Sequence, residues 1–191
     1  MMTIAKIGKF LRPLRSGTDK LAGNDARLAT RATIEVHSPD FASGTVMPAR
    51  YRGFTGIFPP VLWSGVPHAT KELVLIVEDV DVPFPAPLVH AIAYGIAPSK
   101  SGFVAGEIPK LGIDNPKEIQ GARLGKGAGL APGFVPVTPI PGHGPHRYVF
   151  QVFALDVDLT PFERPPSKSE LLVAMAGHVI ARGATVGLAE A

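Results

Sequence analysis

A chain of 191 residues is close to the usual size of one domain, and a hydrophobic content of 46% is enough to build a core. The 21 glycines, 20 prolines and only 18% charged residues favour many turns and short strands over long charged helices. The absence of cysteine excludes disulfides, thiol catalysis and cysteine-ligated zinc.

The positive charge of the chain is concentrated near the N-terminus. Residues 1–31 carry seven Lys or Arg and two Asp, whereas residues 32–191 carry a net charge of −2. We therefore divide the chain into a basic N-terminal arm, 1–31, and a single domain, 32–191. Nucleic-acid binding normally needs a clustered basic face, so we expect no nucleic-acid partner for this domain.

The arm has apolar residues at helical spacing, at Ile4, Ile7, Leu11 and Leu14. They predict a short amphipathic helix, which Gly8 and Pro13 weaken. Such a helix could make a weak contact with a membrane surface or a partner, or it could pack on the domain or be partly disordered. We favour the second interpretation and expect residues 1 to about 30 to be dispensable for folding.

The first residues of the chain also bear on where in the cell the protein is located. It lacks the long apolar stretch of a secretory signal, and no later run is long enough to span a membrane. The prediction is a soluble, cytoplasmic protein.

Four β-rich runs are bounded by Gly and Pro, at 33–37, 72–77, 88–96 and 148–155. Several are apolar on both faces, as expected when other layers cover the sheet on each side. Near the C-terminus, Ser167 and Glu170 form a capping box, which predicts a helix over about 168–182. Gly183 would end that helix, and 184–188 could form a last strand.

The segment 100–145 contains ten glycines and seven prolines. It is too rich in both for ordinary strands or helices, except for short ones such as 117–124. Long irregular segments in a compact domain are usually functional or disordered. Because this one directly precedes the run at 148–155, we interpret it as a pocket wall or a lid.

Polar residues that could bind a ligand or take part in catalysis lie at the ends of these runs or inside them. Asp79 and Asp81 follow the second run, and their two-residue spacing predicts that the carboxylates converge. His90 lies inside the third run, where a polar ring needs a partner. His146 and Tyr148 share one face at the start of the fourth.

In this order the motifs resemble those of the phosphatidylethanolamine-binding family, also called the Raf kinase inhibitor protein family. That family has an Asp-Pro-Asp-Ala-Pro element after an apolar strand, a His on the next strand and a His-Arg-Tyr element at a later one. The matching positions here are 79–83, His90 and 146–148, and the resemblance spans about 33–156. Four positions depart from the family's pattern, namely Phe58, Val80, Val82 and Ala91.

The resemblance implies a mainly β fold, an antiparallel β-sandwich with a C-terminal helix and a long Gly/Pro-rich pocket loop. It also implies a pocket for a small anionic or phosphorylated ligand. The residues implied for that pocket are Asp79, Asp81, His90, Pro141, His146 and Tyr148. An Asp beside an imidazole favours its protonated form, so we expect protonated His and the Tyr hydroxyl to donate to phosphate or carboxylate oxygens.

Other classes of function remain open. We expect no cofactor. We also expect no metal, because Gly144 and Pro145 lie in a loop between His143 and His146, without the helical spacing that would bring the two rings together. The stronger alternative is an enzyme that uses the site for general acid–base chemistry, with His146 or His90 as the base and Asp79 orienting it. A third class is an interaction protein, for which the sequence offers little support.

Overall fold

The computed structural model describes residues 3–112 and 114–191. Residues 1 and 2 of the predicted arm, and residue 113 of the predicted pocket loop, lie outside the described residues. Two helices are α1 (Ile4–Leu11) and α2 (Lys168–Met175). The strands are β1 (Glu35–His37), β2 (Thr45–Val46), β3 (Val61–Ser64), β4 (Glu72–Asp79), β5 (Leu88–Ile96), β6 (Gly102–Phe103), β7 (Glu118–Ile119), β8 (Ala122–Leu124), β9 (Lys126–Gly127), β10 (Ala131–Pro132), β11 (His146–Leu155) and β12 (Val179–Ala189).

A seven-stranded sheet in the order β2-β12-β11-β4-β5-β8-β7 forms the centre of the molecule. Its long strands pair antiparallel, whereas the short β2 pairs parallel to β12. A three-stranded sheet, β1-β3-β6, contributes Val36, Val61, Trp63 and Phe103 to a core shared with one face of the large sheet. The predicted sandwich with a helix near its C-terminus is confirmed.

The large sheet is covered on both faces, which explains why its long strands are mostly apolar. Leu75 and Phe150 point toward the small sheet, whereas Ile76 and Phe153 point toward α2. Since side chains alternate along a strand, two covering layers require apolar residues at successive positions. All eight residues of β4 are accordingly buried.

The C-terminal helix is shorter than predicted. The capping box of Ser167 and Glu170 is formed as expected, but α2 ends at Met175. Residues 176–178 form a turn, and residues 179–182, also predicted as helix, belong to β12, which pairs with β11 along nearly its whole length. Gly183 therefore lies within a strand, and backbone pairing with β11 overrides the apolar helical pattern. Among the described residues neither helix is long and apolar enough to cross a membrane.

The arm follows the surface of the domain and then enters it. Helix α1 forms despite its glycine, and the backbone amides of Ser16 and Gly17 donate to the carbonyls of Val82 and Val80, both at 2.9 Å. Further along, Ala22 and Leu28 are fully buried in the core under α2. These contacts give a physical reason to expect that the later part of the arm is needed for folding, contrary to the predicted dispensability.

Candidate functional site

The register of β4 and β11 brings the predicted site together. Tyr148 lies directly opposite Asp79, at the end of β4 and near the start of β11. The Nδ1 atom of His146 lies 2.8 Å from Oδ2 of Asp79, and both side chains are almost fully buried. A buried carboxylate therefore holds one side of the His146 ring.

A β-bulge places His90 on the same face. The register of β4 and β5 shifts between Val77 and Glu78, since Val77 pairs with Ala91 whereas Glu78 pairs with Val89. His90 is the extra residue on β5, and a bulge re-aims a side chain in this way. Its ring centre lies 5.0 Å from that of Tyr148, at an interplanar angle of 82°.

His90 is a neutral hydrogen-bond acceptor in this environment. Its Nδ1 lies 2.7 Å from the carbonyl oxygen of Val135, so Nδ1–H donates and Nε2 keeps its lone pair. Burial lowers the pKa of His90 below its usual value, and this effect outweighs the opposing influence of Asp79. This direction is opposite to the protonated state expected for His90 from the sequence.

The Nε2 atom of His90 is buried and has no hydrogen-bond partner among the described residues. Leaving a buried polar atom unpaired costs about 1–3 kcal/mol. Tyr148 complements this acceptor with a donor, because burial first, and the Asp79 carboxylate second, raise the pKa of its hydroxyl well above 10. The hydroxyl therefore stays protonated.

His143 joins the cluster, although its loop position argued against convergence with His146. Its Nδ1 lies 2.8 Å from Nε2 of His146, so the expectation that the two rings do not meet is wrong. Gly142 and Gly144 have φ values of 81° and 98°, which non-glycine residues rarely adopt. Those two glycines turn the loop so that the ring of His143 points inward.

Hydrogen-bond contacts run in series from Asp79 through His146 and His143 to the arm. His143 Nε2 faces two carbonyl oxygens, to which only a protonated nitrogen can donate.

The N-terminal arm closes this cluster from outside. The carbonyl oxygens that face His143 Nε2 belong to Leu11 and Leu14, at 3.0 and 3.2 Å. Arg15 donates to the carbonyls of His143 and Pro145 at 3.2 and 3.0 Å. The five residues of the cluster, Asp79, His90, His143, His146 and Tyr148, are each exposed by 2% or less.

Asp81 lies apart from the histidine cluster, contrary to the expected convergence of the two carboxylates. Strand β4 ends at Asp79, whose Oδ1 accepts the backbone N–H of Asp81 at 2.8 Å, so the alternation of the strand does not continue. The Asp81 carboxylate instead accepts hydrogen bonds from Nε and from a terminal nitrogen of Arg147, both at 2.8 Å. A terminal nitrogen of Arg15 lies 2.9 Å from Oδ1 of Asp81.

Pro141 is also separate from the cluster. It lines a cavity of about 640 Å³ together with apolar side chains that include Ile4, Phe54 and Ile140. None of the five cluster residues lines this cavity. The predicted ligand set is thus divided, with Asp79, His90, His146 and Tyr148 together and Asp81 and Pro141 elsewhere.

Sequence reasoning missed His143 and the covering role of Arg15. The spacing of two histidines among glycines at 143–146 was a usable signal for His143. Arg15 had no signal beyond its charge, because nothing in the sequence shows where an arm docks. Among residues 3–112 and 114–191 no group of three or more metal-ligand side chains is arranged to hold a metal ion.

Comparison with known proteins identifies the class. The family model of the phosphatidylethanolamine-binding proteins matches residues 37–190, which include every residue of the cluster. The chain belongs to this family.

Particular relatives come from bacteria and a fungus. A UPF0098 protein of Chlamydia trachomatis is 36% identical over 82% of this chain and 99% of its own length. A UPF0098 protein of Aquifex aeolicus is 32% identical over 82% of this chain and 88% of its own length. The phomoidride biosynthesis cluster protein B of a fungus is 32% identical over 79% of this chain and 75% of its own length.

Solved structures agree with the fold. The phosphatidylethanolamine-binding protein homolog CT736 of Chlamydia trachomatis has a TM-score of 0.71 at 34% identity, covering 84% of this chain and 99% of that chain. The Escherichia coli protein YbcL, a member of the same family, has the same TM-score at 26% identity and the same coverage. Membership of this family supports a ligand-binding protein.

Proposed function

We propose that this protein binds a small molecule with a phosphate or carboxylate head group at Asp79, His90, His146 and Tyr148. The observation that carries the proposal is the unpartnered, buried Nε2 of His90, whose ring packs edge-on against the ring of Tyr148. A head group placed there would satisfy that nitrogen. The Asp79–His146 pair supports the site from behind, since its hydrogen bond fixes the ring of His146.

The protonation states define what the head group must offer. Burial disfavours the protonated form of His90, so its Nε2 needs a donor, and the Tyr148 hydroxyl can donate to an oxygen of the head group. A monoprotonated phosphate carries both an O–H group and anionic oxygens. A carboxyl group offers one of these functions at a time, an O–H group when protonated or anionic oxygens when ionised.

The experiment is a calorimetric titration of the protein with phosphoethanolamine at pH 5.5. Replacing His90 by Phe keeps an aromatic ring but removes Nε2, and we expect at least about a tenfold loss of affinity, as for a lost buried hydrogen bond. The control is His178→Gln, at an exposed histidine paired with Asp156, which should leave affinity unchanged. Equal affinity of wild type and His90→Phe would remove the basis of the proposal.

An enzyme remains the second candidate, favoured by the 2.8 Å contact in which Asp79 orients His146. The relative from the phomoidride biosynthesis cluster is compatible with a biosynthetic role. His146 could act as a base only after His143 releases its Nε2 atom. Turnover of a bound small molecule that stops in His146→Gln, while binding persists, would favour this candidate.

The contact of the arm with a membrane surface or a partner, and the cellular location, stay predictions. Ile4 and Phe10 are exposed by 67% and 78% on α1, next to Lys6 and Lys9, which supports a weak contact of the arm with a membrane surface or a partner. The cytoplasmic location rests on the sequence alone.

A further inference from the structure

Two backbone oxygens of the arm converge on one imidazole N–H. The carbonyls of Leu11 and Leu14 lie 3.0 and 3.2 Å from Nε2 of His143. A carboxylate or phosphate presents paired oxygens to a donor in the same manner, with stronger hydrogen bonds because it is charged. The arm thus offers His143 a neutral substitute for an oxyanion.

The part of the arm that covers the site, residues 3–17, is held mainly by polar contacts, with little apolar burial. Gly8 is the only buried residue of α1, and it lies against the loop at 141–143. A Cβ atom at this position would be 2.0 Å from the carbonyl oxygen of Pro141, so no side chain fits there. Arg12 adds a hydrogen bond from Nε to the carbonyl of Gly142 at 2.8 Å. Segments with few buried apolar contacts open at low free energy.

We propose that residues 11–14 occupy the position of a ligand's oxyanion, and that His143 binds this oxyanion through Nε2–H once the arm has moved away. This inference rests on the proposed function, because the same head group then reaches His90 and Tyr148. His143 becomes a ligand contact that the sequence motifs do not include. The ligand and residues 11–14 compete for one N–H group.

The test uses a substitution that displaces the arm by steric clash and leaves the charge of the protein unchanged. Gly8→Ala places a methyl group against the carbonyl of Pro141, which should lift α1 and residues 11–17 from the site. Phosphoethanolamine should then bind about tenfold more tightly, because a larger fraction of the protein is open. Phe10→Ala, at an exposed position of the same helix, is the control and should bind as wild type does.

A second comparison isolates His143. In the double variant Gly8→Ala, His143→Ala the arm is already displaced, so a loss of affinity of about tenfold relative to Gly8→Ala reports the ligand contact itself. In the wild type, saturation with phosphoethanolamine should speed hydrogen exchange of the Ser16 and Gly17 amides, which are bonded to Val82 and Val80.

The outcomes separate the two proposals. If phosphoethanolamine binds but Gly8→Ala gives no gain and the two amides stay protected, arm occupancy is overturned while the proposed function stands. If the double variant binds as tightly as Gly8→Ala, the role of His143 is overturned. If no variant binds, both proposals fail. Should Gly8→Ala lose its folded amide spectrum, Arg12→Ala, which removes the hydrogen bond to Gly142, replaces it as the arm-releasing variant.

Discussion

Asp81 and Asp79 show how neighbouring carboxylates acquire different roles. Asp79 supports the histidines, whereas Asp81 joins β4, β11 and the arm through Arg147 and Arg15. Burial by itself would raise the pKa of Asp81, but hydrogen bonds from Arg147 and then Arg15 outweigh burial and lower it from 3.8 to about 2. Asp81 therefore forms structural ion pairs with Arg147 and Arg15 at the edge of the site.

Replacing Asp81 by Asn should destabilise the protein by about 3 kcal/mol, because Arg147 and Arg15 lose a partly buried charged partner. Since the folded pKa lies below the unfolded value, the contribution of Asp81 is full above about pH 4 and is lost as the pH falls toward 2. Urea unfolding of wild type and variant at pH 7 and pH 3 measures both effects.

The matched control for this change is Asp25→Asn. Asp25 also has a pKa of about 2, chiefly through hydrogen bonding to Arg27, but that pair is local and the Asp25 carboxylate is more exposed than that of Asp81, 21% against 2%. Its loss should change stability by less than about 1 kcal/mol. Equal effects of the two substitutions would show that burial does not distinguish them.

At the scale of elements, the arm contains two parts with different roles. Residues 3–17 cover the site, whereas residues 18–31 complete the core: the backbone N–H of Ala22 donates to Oε2 of Glu78 at 2.8 Å, and Leu28 is fully buried. Burying Glu78 without this donor costs about 1–3 kcal/mol, and losing the Leu28 side chain costs about 2–5 kcal/mol.

We therefore expect deletion of residues 1–17 to preserve cooperative thermal unfolding, with a small decrease in Tm. Deletion of residues 1–31 should lower Tm by more than 10 °C, roughly the shift that a loss of about 3 kcal/mol or more gives, or abolish the cooperative transition. Circular dichroism melting of both truncated chains measures this. An equal Tm for the chain that lacks residues 1–31 and for the full chain would show that the arm is dispensable for folding.

The sequence predicts those helices and strands whose pattern lies within one short segment of the chain. The runs that became β4, β5 and β11 are long and apolar, and the capping box at Ser167 gave the start of α2. Pairing between distant segments has no such signal, which is why residues 179–182 were assigned to the helix. For the same reason the sequence did not predict the bulge at His90 or the place where the arm docks.

In the whole molecule, the sandwich brings together a buried acceptor, a protonated hydroxyl and a hydrogen-bonded carboxylate–imidazole chain. These come from His90, Tyr148 and the Asp79–His146–His143 chain, and the arm shields them from solvent. The central claim is that this site selects a head group with both an O–H donor and anionic oxygens. A fully ionised head group would leave His90 Nε2 unpaired.

The most direct measurement compares phosphoethanolamine with its sulfate ester counterpart, 2-aminoethyl hydrogen sulfate, by calorimetry at pH 5.5 and pH 8. Because the second pKa of a phosphate monoester is about 6, only the phosphate retains an O–H group at pH 5.5, and neither ligand has one at pH 8. We predict at least about tenfold tighter binding of the phosphate at pH 5.5 and a loss of that preference at pH 8. Equal affinity for both ligands at pH 5.5, or tighter phosphate binding at pH 8, would contradict a neutral His90 acceptor at the centre of the site.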